Sequence, residues 1–294
     1  MKILPGPASN ELGEKIAELS GLEKIPVAYK IFPDGENYIR LEGDVKDEDL
    51  AIIQTTSAPQ DTNLMQLAFI AAAAKRNYAR KVTAVVPYLA YARQDKVFLQ
   101  GENVNVETIA GMLHSAGVDE LVTVNVHSEK ALSKFPFSVK NLTAIPLLAD
   151  YFVKRGLKEA FVVAPDKGAM YIAEQAQRVL GGGVGYLEKQ RDRHTGQTIH
   201  TGDHLDIKGQ TAIIFDDIIS TGGTIVGASR ILHEQGARQV FAACVHPLLI
   251  NDAEKRILDA GVEEIVGTDS IPRRESKVSL APLLSNSLRA NQSG

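Results

Sequence analysis

Residues 211–232 read TAIIFDDIISTGGTIVGASRIL. An apolar run from Thr211 ends at Phe215, and two adjacent acids, Asp216 and Asp217, stand at its end. A step rich in hydroxyls and glycine, Ser220–Thr224, leads into a helical pattern over 223–237. The spacing predicts a buried strand over 211–217, a loop, and then a helix. A strand covered on both faces reads as such an unbroken apolar run, which is the habit of parallel sheets. In open parallel sheets, ligands bind beyond the carboxyl ends of the strands, where loops precede helix N-termini. Glycines there let backbone N–H groups approach a phosphate closely, and the helix dipole favours its charge. Two acids beside that cradle would repel a bare phosphate. They make sense for a ligand that also presents hydroxyls or brings a divalent metal, and a sugar phosphate meets both demands.

The same alternation runs through the chain. Strand-like runs at 51–56, 81–88 and 120–126 alternate with helical patterns at 61–79 and 106–117. In the second half, runs at 160–165, 211–217, 239–245 and 263–268 alternate with helical patterns at 167–180, 223–237 and 251–261. So many βα units exceed one comfortable sheet. A division within FSVKNLTAIP (137–146) gives two α/β domains, residues 1–142 and 143–294, each a doubly wound parallel sheet.

Bulk properties narrow the function. The 294 residues carry 44% hydrophobic and 23% charged side chains, the balance of a soluble globular protein. A formal net charge of -4 provides no global field for nucleic acid or anionic membrane, so any anion must be held by a local cluster. The lone cysteine, Cys244, sits in the apolar run VFAACVHPLL and reads as a buried core thiol. The first residues break at Pro5-Gly6, and no apolar run reaches the roughly 18 residues of a membrane span. A cytoplasmic protein is expected, without nucleic-acid or membrane partners. His194, His200 and His204 match no closed zinc site, since no cysteine joins them. No GxxxxGK[ST] loop, no GxGxxG after a strand and no GxSxG elbow occurs.

FDDIISTGGT (215–224) resembles the phosphoribosyl diphosphate-binding motif of type I phosphoribosyltransferases and of ribose-phosphate diphosphokinases, or PRPP synthetases. FPDGE (32–36), PYLAYARQDK (87–96), NVHSE (125–129), APDKGA (164–169) and LEKQRDR (187–193) are similar, in order, to further signatures of the diphosphokinases. The resemblance implies two domains of the type I phosphoribosyltransferase kind and Mg²⁺-dependent diphosphoryl transfer from ATP to ribose 5-phosphate. It implies that Phe32, Asp34, Gly35, Glu36, Arg93 and Gln94 bind ATP, and that His127 and Asp166 serve the metal. Asp216, Asp217, Ser220, Thr221, Gly222, Gly223 and Thr224, with Arg191, would hold ribose 5-phosphate. Lys189 and Arg191, from the basic run KQRDRH, would be catalytic. It also implies a homo-oligomer, a dimer or a multiple of dimers, in which the Phe32 loop reaches a neighbouring subunit.

On residues alone, each segment has a plainer alternative: a turn for FPDGE, a solvated charged loop for YARQDK and KQRDRH, a structural histidine at His127. Two positions depart from the family pattern, Ser220 and Asn125, where an acid is common. The alternatives are a phosphoribosyltransferase, which has no need of FPDGE or YARQD, and a non-catalytic subunit, which has no need of Lys189 and Arg191. Many family members are activated by phosphate through the loop after YARQDK. Here residues 97–114 contain no Arg, Lys or Ser, so weak or absent phosphate activation is expected.

Overall fold

A computed structural model describes residues 1–191, 198–201 and 205–290, with side chains for 1–187 and 205–290. The chain forms two units, Met1–Leu142 with the segment from Ser279 onward, and Thr143–Val278.

In the first unit, β1 (Lys2–Pro5) and α1 (Asn10–Ser20) precede an antiparallel hairpin, β2 (Val27–Ile31) and β3 (Asn37–Leu41). Then come β4 (Asp49–Ile53), α2 (Gln60–Arg76), β5 (Lys81–Val86), α3 (Asn105–Ser115), β6 (Glu120–Val124), α4 (Glu129–Leu132) and β7 (Ser138–Leu142). Strands β1-β4-β5-β6-β7 pair in that order, all parallel. Alternate residues of β4 point to opposite faces of the sheet, and all of Leu50, Ala51, Ile52 and Ile53 are buried. One face packs Leu50 and Ile52 with Leu67 and Ala71 of α2, Ala84 of β5 and Leu113 of α3. Burying each large side chain of this kind favours the fold by roughly 1.5–3 kcal/mol.

The second unit runs α5 (Ile145–Lys154), β8 (Phe161–Ala164), α6 (Met170–Leu180), β9 (Val184–Tyr186), the antiparallel pair β10 (Glu188–Arg191) and β11 (Thr198–Thr201), β12 (Thr211–Ile219), α7 (Gly223–Glu234), β13 (Gln239–Pro247), α8 (Ala253–Asp259), β14 (Val262–Thr268) and β15 (Ser276–Val278). Its parallel sheet has the order β15-β14-β13-β12-β8-β9. The chain first adds β9 on one side of β8 and then places β12 on the other, so the strand order reverses between β8 and β12. Phe152 of α5 meets Phe215 and Phe241 edge-on, with ring centroids 6.1 and 5.9 Å away, and this packing supports β12 and β13 from one face.

The last helix, α9 (Ala281–Ala290), belongs to the first unit and packs on α1. Its buried Ala281, Leu284 and Leu288 face the helix that buries Leu12, Ile16 and Ala17. The second unit therefore ends at Val278, whereas the sequence pattern assigned everything after residue 142 to one domain. An apolar stripe shows that a helix will be covered, and contact with α1 decides by what. Strand β12 also runs two residues further than the expected 211–217, to Ile219.

Candidate active site

The reversal in the second sheet makes the carboxyl ends of β8 and β12 neighbours, and a crevice for ligands is expected there. Asp166 follows β8. Its Oδ1 accepts the amides of Gly168 at 2.9 Å and Ala169 at 3.2 Å, which caps the short turn before α6. Across the reversal, at the end of β12, stand Asp216 and the buried Asp217. Asp216 Oδ1 accepts the Asp217 amide and Asp217 Oδ1 accepts the Ile218 amide, each at 2.8 Å. Burial first, and the Asp217 carboxylate second, raise the Asp216 carboxyl well above the ordinary carboxylate range; Asp166 adds to the same effect.

Beyond the acids the chain turns into α7. Gly222 takes the left-handed conformation, φ 77°, and a Cβ there would stand 2.8 Å from Ile257 Cδ1 of α8. Gly223 is different. The nearest atom to a Cβ on it is Arg256 Nη2, at 3.9 Å, so space is open above this glycine. The N-cap residue, Gly222, has no side chain to cap α7, whose first amides lack intrahelical acceptors. The entry to the loop is fixed, because Leu249 and Ile250 donate their amides to Ile219 and Ser220 carbonyls at 2.9 and 3.1 Å. Ser220, Thr221, Gly222, Gly223 and Thr224 thus form a held, amide-rich cradle beside two acids.

Lys189 and Arg191 lie on β10 by backbone, where Lys189 pairs with His200 and Arg191 with Thr198; their side chains are outside the described part. His194 and His204 lie outside the described residues.

The first unit gathers a second group at the carboxyl ends of β4, β5 and β6. The loop after β5 carries Arg93 and Gln94. Thr56 holds its start, donating its hydroxyl to the Tyr88 carbonyl and accepting the Ala90 amide, both at 2.8 Å. Tyr91 adopts φ 66° and gives its hydroxyl to Asp61 of α2; that bond, more than burial, raises the Tyr91 pKa. Asp95 then accepts the Ser128 hydroxyl at 2.5 Å, and this bond leads the causes that hold its carboxyl below the usual range. Ser128 directly follows His127, which is exposed in the loop after β6. That loop starts at Asn125, φ 40°, whose amide bonds the Leu142 carbonyl at 2.8 Å.

Phe32, Asp34, Gly35 and Glu36 form the turn of the β2–β3 hairpin, closed by Phe32 N–H to the Glu36 carbonyl at 2.8 Å. Phe32 is 37% exposed, with Tyr38 edge-on at 6.3 Å and Lys30 Nζ 4.7 Å from its ring centroid. A relay of amides anchors this hairpin: Gln54 Nε2 donates to Gln66 Oε1 at 3.2 Å, and Gln66 Nε2 donates to Asn37 Oδ1 at 2.9 Å. Gly6 lets Gln54 lie this close, since a Cβ there would stand 2.3 Å from Gln54 Oε1.

The structure therefore brings Asp166, Asp216, Asp217 and Ser220–Thr224 to one sheet edge, and Arg93, Gln94 and His127 to another, in separate units. Among the described residues, no three His, Cys, Asp or Glu side chains form a group able to hold a metal ion. Sequence reasoning missed Thr56, Asp61, Gln66, Asp95, Ser128 and Arg256 around these edges. Asp95 and Ser128 stood inside the PYLAYARQDK and NVHSE motifs; the others carry no local signal, since long-range contacts define them.

Comparison with known proteins follows the same division. Residues 1–117 match a family described as the N-terminal domain of ribose phosphate pyrophosphokinase, and residues 141–276 a phosphoribosyl transferase domain. The ribose-phosphate pyrophosphokinase of Methanobrevibacter smithii is 40% identical, covering 98% of this chain and 99% of its own. That of Saccharolobus solfataricus is 39% identical, covering 92% and 93%. Among solved structures, the phosphoribosylpyrophosphate synthetase of Mycobacterium smegmatis aligns over 100% of this chain and 99% of its own, with TM-score 0.88 and 31% identity.

Proposed function

The chain belongs to the ribose phosphate pyrophosphokinase family, and we propose from this premise how its two sheet edges divide the reaction. The enzyme makes 5-phosphoribosyl 1-diphosphate from ribose 5-phosphate and ATP. In our reading the anomeric hydroxyl of the sugar attacks the β-phosphorus of ATP. The bond from that phosphorus to the α,β-bridging oxygen breaks, AMP leaves with the oxygen, and the hydroxyl proton passes to solvent. The diphosphoryl group moves intact.

The observation that carries this division is the amide cradle beside a carboxylate pair at the strand reversal. The amides of Ser220–Thr224 take the 5-phosphate, with open space above Gly223 for its oxygens. Asp216 and Asp217 accept the ribose hydroxyls through lone pairs beyond those that hold the Asp217 and Ile218 amides. Phe32, with Asp34, Gly35 and Glu36, stacks on and reads the base. Arg93 and Gln94 hold the nucleotide, and His127 and Asp166, by their match to the family's motifs, would each serve Mg²⁺ through imidazole, oxygen or water. Mg²⁺, when bound, neutralises phosphate charge as the diphosphoryl group transfers. Lys189 and Arg191 enter through their place in the basic run, as cations for charge that develops in the transition state. A homo-oligomer, with the Phe32 hairpin shared between subunits, belongs to the same reading.

Incubation with ribose 5-phosphate, ATP and Mg²⁺, followed by phosphorus NMR, tests it. AMP and phosphoribosyl diphosphate should appear in equal amounts. ADP in place of AMP would overturn diphosphoryl transfer. The described helices include none long and apolar enough to cross a membrane.

A further inference from the structure

We propose that Asp95 and Ser128 are positioning residues that hold the Arg93–Gln94 loop at a fixed separation from His127. The inference rests on the nucleotide-side reading of Arg93, Gln94 and His127 given above. Neither Asp95 nor Ser128 belongs to that set, and the Ser128 side chain does not cap the α4 turn that it precedes. Their hydrogen bond, 2.5 Å from Ser128 Oγ to Asp95 Oδ2, spans 33 positions of sequence and joins two different loops. Those loops leave adjacent parallel strands, paired through Val86 of β5 and Thr123 of β6. A hydroxyl donating to a carboxylate at this distance is of the strong, charge-assisted kind.

The other end of the first loop is also pinned. Tyr91 bonds Asp61 of α2, and Gln94 donates its amide back to the Tyr91 carbonyl at 3.2 Å. Arg93 and Gln94 therefore lie between two side-chain anchors, one on each flank. Each loop also contains a non-glycine residue in the left-handed region, Tyr91 at φ 66° and Asn125 at φ 40°. Such conformations persist where surrounding contacts over-determine the backbone, and they concentrate at functional sites. The Asn125 turn is held from β7, by the Leu142 carbonyl on its amide and by Asn141 Oδ1 on the Val126 amide at 3.2 Å. With both loops fixed on their outer sides, the Asp95–Ser128 bond closes the remaining degree of freedom, the gap between them. Asp95 and Ser128 are only half-buried, so this bond adds little to global folding. Its effect falls on geometry at the nucleotide.

The test uses the full chain as wild type, Ser128→Ala, Ser128→Thr, Asp95→Ala and the Asp95→Ala/Ser128→Ala double variant. Mg-ATP affinity is measured by calorimetry, KM for each substrate by initial rates, and Tm by unfolding. Ser128→Ala should weaken Mg-ATP roughly tenfold, as expected for loss of one hydrogen bond to a charged group. KM for ribose 5-phosphate and Tm should stay near wild type. Ser128→Thr, which keeps the hydroxyl, should restore affinity, and the double variant should bind no worse than the weaker single one. Wild-type affinity in Ser128→Ala, additive losses, or losses that follow a falling Tm would each overturn the proposal. A wild type that makes phosphoribosyl diphosphate alongside an unaffected Ser128→Ala sinks this inference alone. A wild type that binds Mg-ATP without turnover sinks the assigned activity and leaves the affinity comparison to decide the tether. A wild type that does not bind Mg-ATP sinks both.

Discussion

At Asp216, burial and the Asp217 carboxylate both disfavour ionisation, so the ligand-free fold is penalised once that group loses its proton. The folded pKa is raised above the unfolded one. The group's favourable contribution is therefore complete below the unfolded carboxylate value, about 3.9 for Asp, and is lost as pH rises through the folded value. Asp216→Asn removes that ionisation. Its Tm should match wild type in acid and exceed it increasingly toward alkaline pH, while ribose 5-phosphate binding is lost and Mg-ATP binding is retained. Thermal unfolding across pH with separate ligand titrations checks this, and a pH-independent Tm difference would sink the burial argument. The adjacency of the two acids was legible in sequence. The raised carboxyl of Asp216 was not, because it depends on what covers it and on Asp166 across the strand reversal.

At the scale of elements, the loop from β12 to α7 separates two glycines that look alike in sequence. Gly222→Ala forces a Cβ into a left-handed residue and against Ile257, which should cost about 1–3 kcal/mol in urea unfolding. Gly223→Ala meets only Arg256 at 3.9 Å and should leave stability within about 0.5 kcal/mol of wild type, while raising KM for ribose 5-phosphate by crowding the cradle. The loop at 97–102 supports a different expectation. The Glu102 carboxylate accepts the Phe98 and Leu99 amides at 2.7 and 2.9 Å, and those bonds hold its carboxyl below the usual range. The amides that an anion would need are already taken by a carboxylate, in a stretch without Arg or Lys. Initial rates against inorganic phosphate, at fixed ionic strength, should show no sigmoidal activation. Strong activation would place a phosphate site elsewhere in the chain or its oligomer.

For the whole molecule, the chain passes between units twice, at 142–143 and 278–279, because α9 returns to α1. Ending the chain at Val278 should expose the α1 stripe of Leu12, Ile16 and Ala17 and destabilise the first unit by several kcal/mol, at roughly 1.5–3 kcal/mol for each large apolar side chain uncovered. Mg-ATP binding should fall with it. Hydrogen exchange read separately on each unit measures this; equal loss of protection in Thr143–Val278 would show that α9 supports more than the first unit. The sequence by itself determined the βα alternation, the place of the division near residue 142, and the residue types that stand at each strand end. Those features depend on local periodicity and on residue types a few positions apart. Tertiary structure alone decided the strand order, and with it the reversal that brings Asp166 to Asp216. It also decided the return of α9 and the Asp95–Ser128 and Gln54–Gln66–Asn37 links. Each of these joins segments far apart in sequence, and nothing in either segment's own pattern names its partner.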